Sequence, residues 1–262
     1  MPPPPLRTEV ADAIAWVTID NPPVNALTDE VYEQLSALVT RLESDDDVRA
    51  VVFASAHESI FVAGADIRKM ADYDFRRGPV ARKIDLVHAT FLRVQRLTKP
   101  TIGAITGHAL GGGCEFALAL DFRFMAAGPA RIGLTEAALG IIPGGGGTQR
   151  LPRLVGRARA AELMLLARRL DAAAAARIGL VTEACDDAAA THAAARELAA
   201  ELAAMPRSSM RLIKASLNDG YDGDLLRGLG VERANAVEAL LQPEAREGIA
   251  AFLERRPARF HG

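Results

Sequence analysis

Apolar positions along this chain follow two rhythms. Short continuous apolar runs read as buried strands, and apolar residues spaced three and four apart read as helices. Glu9–Asp20 is β-rich and stops at Asn21-Pro22-Pro23, where two prolines remove ladder donors. Thr28 has the character of a helix N-cap, backed by Asp29 and Glu30. Val31, Leu35, Leu38, Val39 and Leu42 then predict a helix that Ser44-Asp45-Asp46-Asp47 ends. Arg49–Ser55 predicts a buried strand, and Phe61–Ile67 an apolar segment that turns at Gly64. Arg68–Pro79 is charged and irregular, a loop or short helix, and Val80–Leu97 is helical up to Lys99-Pro100.

After an apolar run over Thr101–Thr106, the chain passes three glycines and enters a predicted helix at Cys114–Leu120. Phe122–Ala127 and Ile132–Thr135 predict further strands, and the run Gly144–Gly147 breaks regular structure. Helices are expected over Arg157–Leu166 and Asp171–Ile178, then a last strand over Gly179–Glu183. Asp186–Ala204, Pro206–Leu217, Leu225–Leu241 and Pro243–Glu254 read as helices only. Strands alternating with helices predict an α/β fold with parallel pairing over residues 1–200, followed by a helical region over 201–262.

Composition narrows the class. Half of the 262 residues are hydrophobic, enough for a large core, and a net charge of −2 gives no electrostatic case for nucleic acid. Cys114 and Cys185 lie far apart without CxxC spacing, which predicts free thiols in a reducing compartment. The start MPPPPLRTEV lacks the pattern of a signal peptide, and no apolar stretch reaches the roughly 20 residues that span a bilayer. These features predict a cytoplasmic protein without a membrane segment.

The chemistry concentrates in Lys99–Asp121. Gly111-Gly112-Gly113 before a helix forms a cradle of N–H groups suited to an oxyanion. Gly144–Gly147 is followed by Thr148-Gln149-Arg150, with no lysine as a P-loop requires, and Phe116 stands where a dinucleotide fingerprint needs glycine. No Gly-x-Ser-x-Gly elbow occurs, and the histidines show no metal-ligand spacing. Catalysis is left to carboxylates and backbone dipoles. Gly64-Ala65 and Gly112 could jointly hold one anionic oxygen, with Glu115 and Glu136 beside them. Glu115 taken alone also suits a helix start by complementing the dipole. Asp66 and Asp121 read as capping or backbone-bonding residues and His108 as structural. Cys114 reads as packing, although a helix N-terminus could lower its pKa.

Three ordered stretches carry a resemblance: Phe61–Ile67, Gly107–Glu115 and Glu136–Arg150 are similar to the crotonase (enoyl-CoA hydratase/isomerase) superfamily, closest to enoyl-CoA hydratase. The likeness extends through Asn21–Leu27 and Gly179-Leu180-Val181, nearly the whole chain. It implies a spiral of ββα turns with a C-terminal helical region that builds trimers, often paired into hexamers. It further implies an acyl-CoA thioester substrate and neither a metal nor a resident cofactor. By the same resemblance Ala65 and Gly112 form the oxyanion hole, Glu115 activates water, and Glu136 delivers a proton. Asn25, Ala26, Leu27, Ala63, Gly64, Asp66, Ile67, Arg68, Gly111, Pro143, Gly144 and Phe260 would bind substrate or CoA. Arg68 stands where members commonly carry lysine, and one extra residue falls between Asp121 and Glu136, at the Ala127-Gly128-Pro129 turn. The implied reaction is hydration of a trans-2-enoyl-CoA. A double-bond isomerase, or a non-catalytic member binding CoA or RNA, are the alternatives.

Overall fold

The computed structural model describes residues 4–260. The chain opens with β1 (Leu6–Ala11) and β2 (Ile14–Ile19), an antiparallel pair where one strand was expected. The turn between them is made by Asp12 and Ala13, both at positive φ. Neither is glycine or asparagine, so the usual hairpin signal is absent.

Four turns of strand, strand and helix follow. β2 leads to β3 (Ala26–Leu27) and α1 (Asp29–Ser44). The Thr28 side chain accepts from the Val31 N–H, and Val31, Leu35, Leu38, Val39 and Leu42 are buried as their spacing predicts. Next come β4 (Ala50–Ser55), β5 (Ile60–Val62), β6 (Gly64–Ala65), α2 (Ile67–Ala71) and α3 (Arg77–Arg96). The third turn is β7 (Thr101–Ile105), β8 (His108–Leu110) and α4 (Gly112–Leu118). The fourth is β9 (Phe122–Ala126), β10 (Ile132–Gly133) and a 3-10 turn over Glu136–Leu139. In the first strands of these turns, β2, β4, β7 and β9 lie side by side in a six-stranded sheet of order β1-β2-β4-β7-β9-β11. The second strands form a three-stranded sheet, β10-β8-β5, and the pair β3-β6. All pairings except β1 with β2 are parallel. This is the expected ββα spiral.

α5 (Gly147–Val155), α6 (Arg157–Leu165) and α7 (Ala172–Arg177) lead to β11 (Glu183–Cys185), which pairs with β9. The last strand therefore begins where Gly179–Glu183 was expected to end. Leu180 and Val181 are buried all the same, because they plug the core from the preceding turn.

The outer face of the large sheet is covered by α8 (Ala188–Ala204), whose Thr191, Ala195, Ala199 and Ala203 form a buried stripe four residues apart. Small side chains at that spacing let the helix approach the strands closely, and Ala195, Ala199 and Ala203 pack with Ile14, Val52, Ile102 and Phe124. Residue 200 thus lies inside a helix that belongs to the sheet. The terminal helices α9 (Arg207–Gly220), α10 (Leu225–Leu241) and α11 (Pro243–Glu254) start after it. Lys214 on α9 ties them back, donating to Lys99 O and to Asp121 Oδ2 at 2.6 Å.

The other face of the sheet holds the main core, where Phe53, Phe61 and Phe91 surround Phe116 of α4. Two features fix α4 there. A methyl group at Gly113 would lie 2.0 Å from Val62 O, so only glycine lets this helix start press against β5. At the other end the buried Arg123 guanidinium donates to Ala117 O and Leu120 O, satisfying carbonyls the helix leaves open.

Candidate active site

α4 begins two residues earlier than predicted, so Gly112 is its first residue and its N–H has no acceptor within the helix. A methyl group at Gly112 would sit 3.5 Å from the Ala65 nitrogen, and one at Gly64 would sit 3.2 Å from the Gly112 nitrogen. The two amides are therefore neighbours, although 47 residues of chain separate them. What joins them is pairing: β6 lies against β3, while β5 pairs with β8, the three-residue strand that leads into Gly111. That strand was not expected from the sequence.

Glu115 is buried one turn into α4. Its Oε1 accepts from Gly145 N at 2.7 Å and from Gly147 N at 2.8 Å. The loop presenting those amides is itself held by Arg150, which donates to Gly145 O and to Gln95 Oε1, each at 2.8 Å. Burial pushes the Glu115 carboxyl above the ordinary range, opposed by the two N–H donors and by the charge of Arg150. Glu136 opens the 3-10 turn and is buried as well. Its Oε2 is buried without a hydrogen-bond partner in the protein, and its Oε1 lies beside the Gly111 turn. Burial, joined by the charge of Glu115, pushes Glu136 up to about 7.

Both carboxylates line a cavity of about 200 Å³ together with Ala63, Gly64, Ala65, Ile67, Gly111, Gly112 and Gly144. Nine of the residues named from the sequence thus meet in one place. Ala26 and Leu27 are buried just beneath it, Leu27 lying against Gly112. The other expected binding residues stand apart from the cavity wall. Asn25 does not face it: its amide nitrogen donates to Ile19 O, Ser55 Oγ and Phe61 O, stitching β2, β4 and β5 together. Asp66 caps α2, accepting from Arg68 N and Lys69 N, and Arg68 is exposed. Pro143 precedes the cradle loop without lining the cavity. Phe260 lies against Gly248 of α11, in a separate depression with Asp46 and Arg207. Cys114 is fully buried, and burial next to Glu115 drives its thiol pKa up, overriding the helix-start effect. His108 accepts from Arg131 N through Nδ1, a structural role.

The wall also holds residues not named for the site from the sequence, among them Tyr32, Tyr73 and Lys83. Tyr32 shares the buried stripe of α1 with Leu35 and Val39, which is the signal that could have found it. Among the described residues no group of His, Cys, Asp and Glu is placed to hold a metal ion. No helix among them is long and apolar enough to cross a membrane.

Two buried carboxyls and two neighbouring backbone amides line one cavity of a ββα spiral, an arrangement able to hold an anionic oxygen beside an acid and a base. The chain belongs to the enoyl-CoA hydratase/isomerase family, whose model matches residues 9–262, and with it to the crotonase superfamily. It is 40% identical over 242 residues to the mitochondrial methylglutaconyl-CoA hydratase of Rattus norvegicus, covering 91% of this chain and 76% of that one. It is 36% identical over 245 residues to a short-chain-enoyl-CoA hydratase of Clostridium acetobutylicum, covering 93% and 92%. The crystal structure of an enoyl-CoA hydratase from Bacillus anthracis superposes with a TM-score of 0.91 at 34% identity, covering 98% of both chains. These relatives support an enzyme of the lyase class.

Proposed function

We propose that this enzyme adds water across the double bond of a trans-2-enoyl-CoA to give a 3-hydroxyacyl-CoA. The observation that carries the reading is the unequal setting of its two buried carboxyls. Glu115 is fastened by two amides that favour its charged form, whereas Glu136 carries an unbonded oxygen and titrates near neutrality.

The thioester oxygen would lie between the N–H groups of Ala65 and Gly112, which stabilise the enolate that forms as C3 is attacked. Glu115 takes a proton from water as the oxygen bonds to C3, and Glu136 gives its proton to C2 as the enolate collapses. Exchange with solvent then returns a proton to Glu136 and removes one from Glu115. Isomerisation needs one carboxyl to move a proton between carbons. The second carboxyl, oriented by dedicated donors, supports hydration instead.

Exposed apolar side chains on the terminal helices, among them Leu226 and Phe252, support assembly into trimers or hexamers, readable by light scattering. Two free, buried cysteines support a cytoplasmic setting. The direct test is loss of enoyl-thioester absorbance when the protein meets crotonyl-CoA. Glu115→Gln and Glu136→Gln are each expected to slow hydration by ~10²–10⁴-fold. Near-full activity in either would refute the roles assigned.

A further inference from the structure

Among the described residues that line the cavity, Lys83 is the one cation. It comes from α3, its side chain is only 20% exposed, and its Nζ lies 4.7 Å from the centre of the Tyr32 ring. Its partner Asp29 does not line the cavity and is 70% exposed, so that ion pair leads outward into solvent. An ammonium has three N–H donors, and one outward carboxylate leaves donors free to serve the inner side. Tyr32 and Tyr73 share this wall. Burial and the nearby acids keep both phenols neutral, so both are donors. Tyr32 lies within electrostatic reach of Glu115, Tyr73 and Asp29. Tyr32 is thus a neighbour of the Lys83 ammonium and within reach of the Glu115 charge.

Apart from the acid pair and Thr135, the other side chains of the wall are apolar, with Ile67, Met70, Ile84 and Val87 among them. A plain alkyl chain filling this space would strip water from the inner face of the ammonium and return no acceptor, which is costly. A chain ending in a carboxylate would supply one. On the hydratase reading, we propose that the preferred acyl group carries a carboxylate at its far end, received by Lys83 with the hydroxyls of Tyr32 and Tyr73. Recognition of this kind adds a charge-assisted hydrogen bond in a partly dry site, and exchange with Asp29 costs little because that pair is open to water.

The test compares two unreactive thioesters of equal chain length, glutaryl-CoA and valeryl-CoA, by titration calorimetry. Glutaryl-CoA is expected to bind the wild-type enzyme about 10-fold or more tightly than valeryl-CoA. Lys83→Met should remove that difference, Lys83→Arg should keep most of it, and Asp29→Asn should enlarge it by withdrawing the competing carboxylate. Equal or weaker binding of glutaryl-CoA by the wild type, or a preference that survives Lys83→Met, would overturn the proposal. Turnover of glutaconyl-CoA and 2-pentenoyl-CoA is read alongside. Absence of both with the binding preference intact would refute the hydratase reading while leaving the carboxylate site standing.

Discussion

The charge on Glu115 acts on Glu136: with burial, it keeps the Glu136 carboxyl titrating at about 7, far above a free glutamate. Glu115 is itself fastened by Gly145 and Gly147 and faces the charge of Arg150, which oppose the upward push of its burial. With Glu136 as the proton donor, kcat for hydration should fall as pH rises through about 7. Glu115→Gln removes one of the causes that raise the Glu136 pKa, so its titration, followed by carbon NMR, should move down. An unchanged midpoint would mean that burial alone sets it.

Stability should carry the same signature. Glu136 binds its proton more tightly in the folded state than in the unfolded chain, so its contribution is present below the unfolded value of 4.5 and lost as pH rises to about 7. Glu136→Gln, which needs no proton, should therefore gain on the wild type by about 1–2 kcal/mol between pH 5 and 8 in urea unfolding. A constant offset across that range would contradict the assignment.

Gly145 is chosen for space. A methyl group there would lie 2.7 Å from Glu115 Oε2 and 2.9 Å from the Phe91 ring. Gly145→Ala should displace the cradle and lower kcat by roughly 10²-fold, the scale of a lost oriented donor, with the circular dichroism spectrum unchanged. Wild-type turnover would show that the loop adapts.

Lys214 provides the clearest stability test outside the site. Its Nζ bonds Lys99 O and Asp121 Oδ2, and Asp121 also accepts from Thr101 N at 2.7 Å. Lys214→Met should cost about 2 kcal/mol, since it leaves a polar cluster short of a donor beneath α9. A change below about 0.5 kcal/mol would show that water replaces the lysine.

The parts of the fold that local pattern governs were legible. The five apolar positions of α1 and its Thr28 cap were readable because spacing and cap chemistry act within a few residues. Elements defined by distant partners were not. β8 is too short to show a pattern of its own and exists through its pairing with β5 and β10. β11 is placed by its register with β9, so its position moved away from the more apolar Leu180-Val181. The same division holds in the site. Glu115 stood out as an acid after glycines, yet the amides that orient it come from 30 and 32 residues further on. Asn25 sat in a motif but spends its side chain on three segments of backbone and hydroxyl. Tyr32 and Lys83 lie within two predicted helices, and only the tertiary arrangement brings them to one wall.

The stretch from Glu136 to Gly147 supplies one carboxyl and also the two amides that aim the other. The two groups therefore depend on one continuous segment of chain. An acyl group bulky enough to push this segment outward would misalign donor and base in the same movement, so a misfitting substrate would be held yet left unreacted. Selectivity of this design would register in turnover before it registered in affinity.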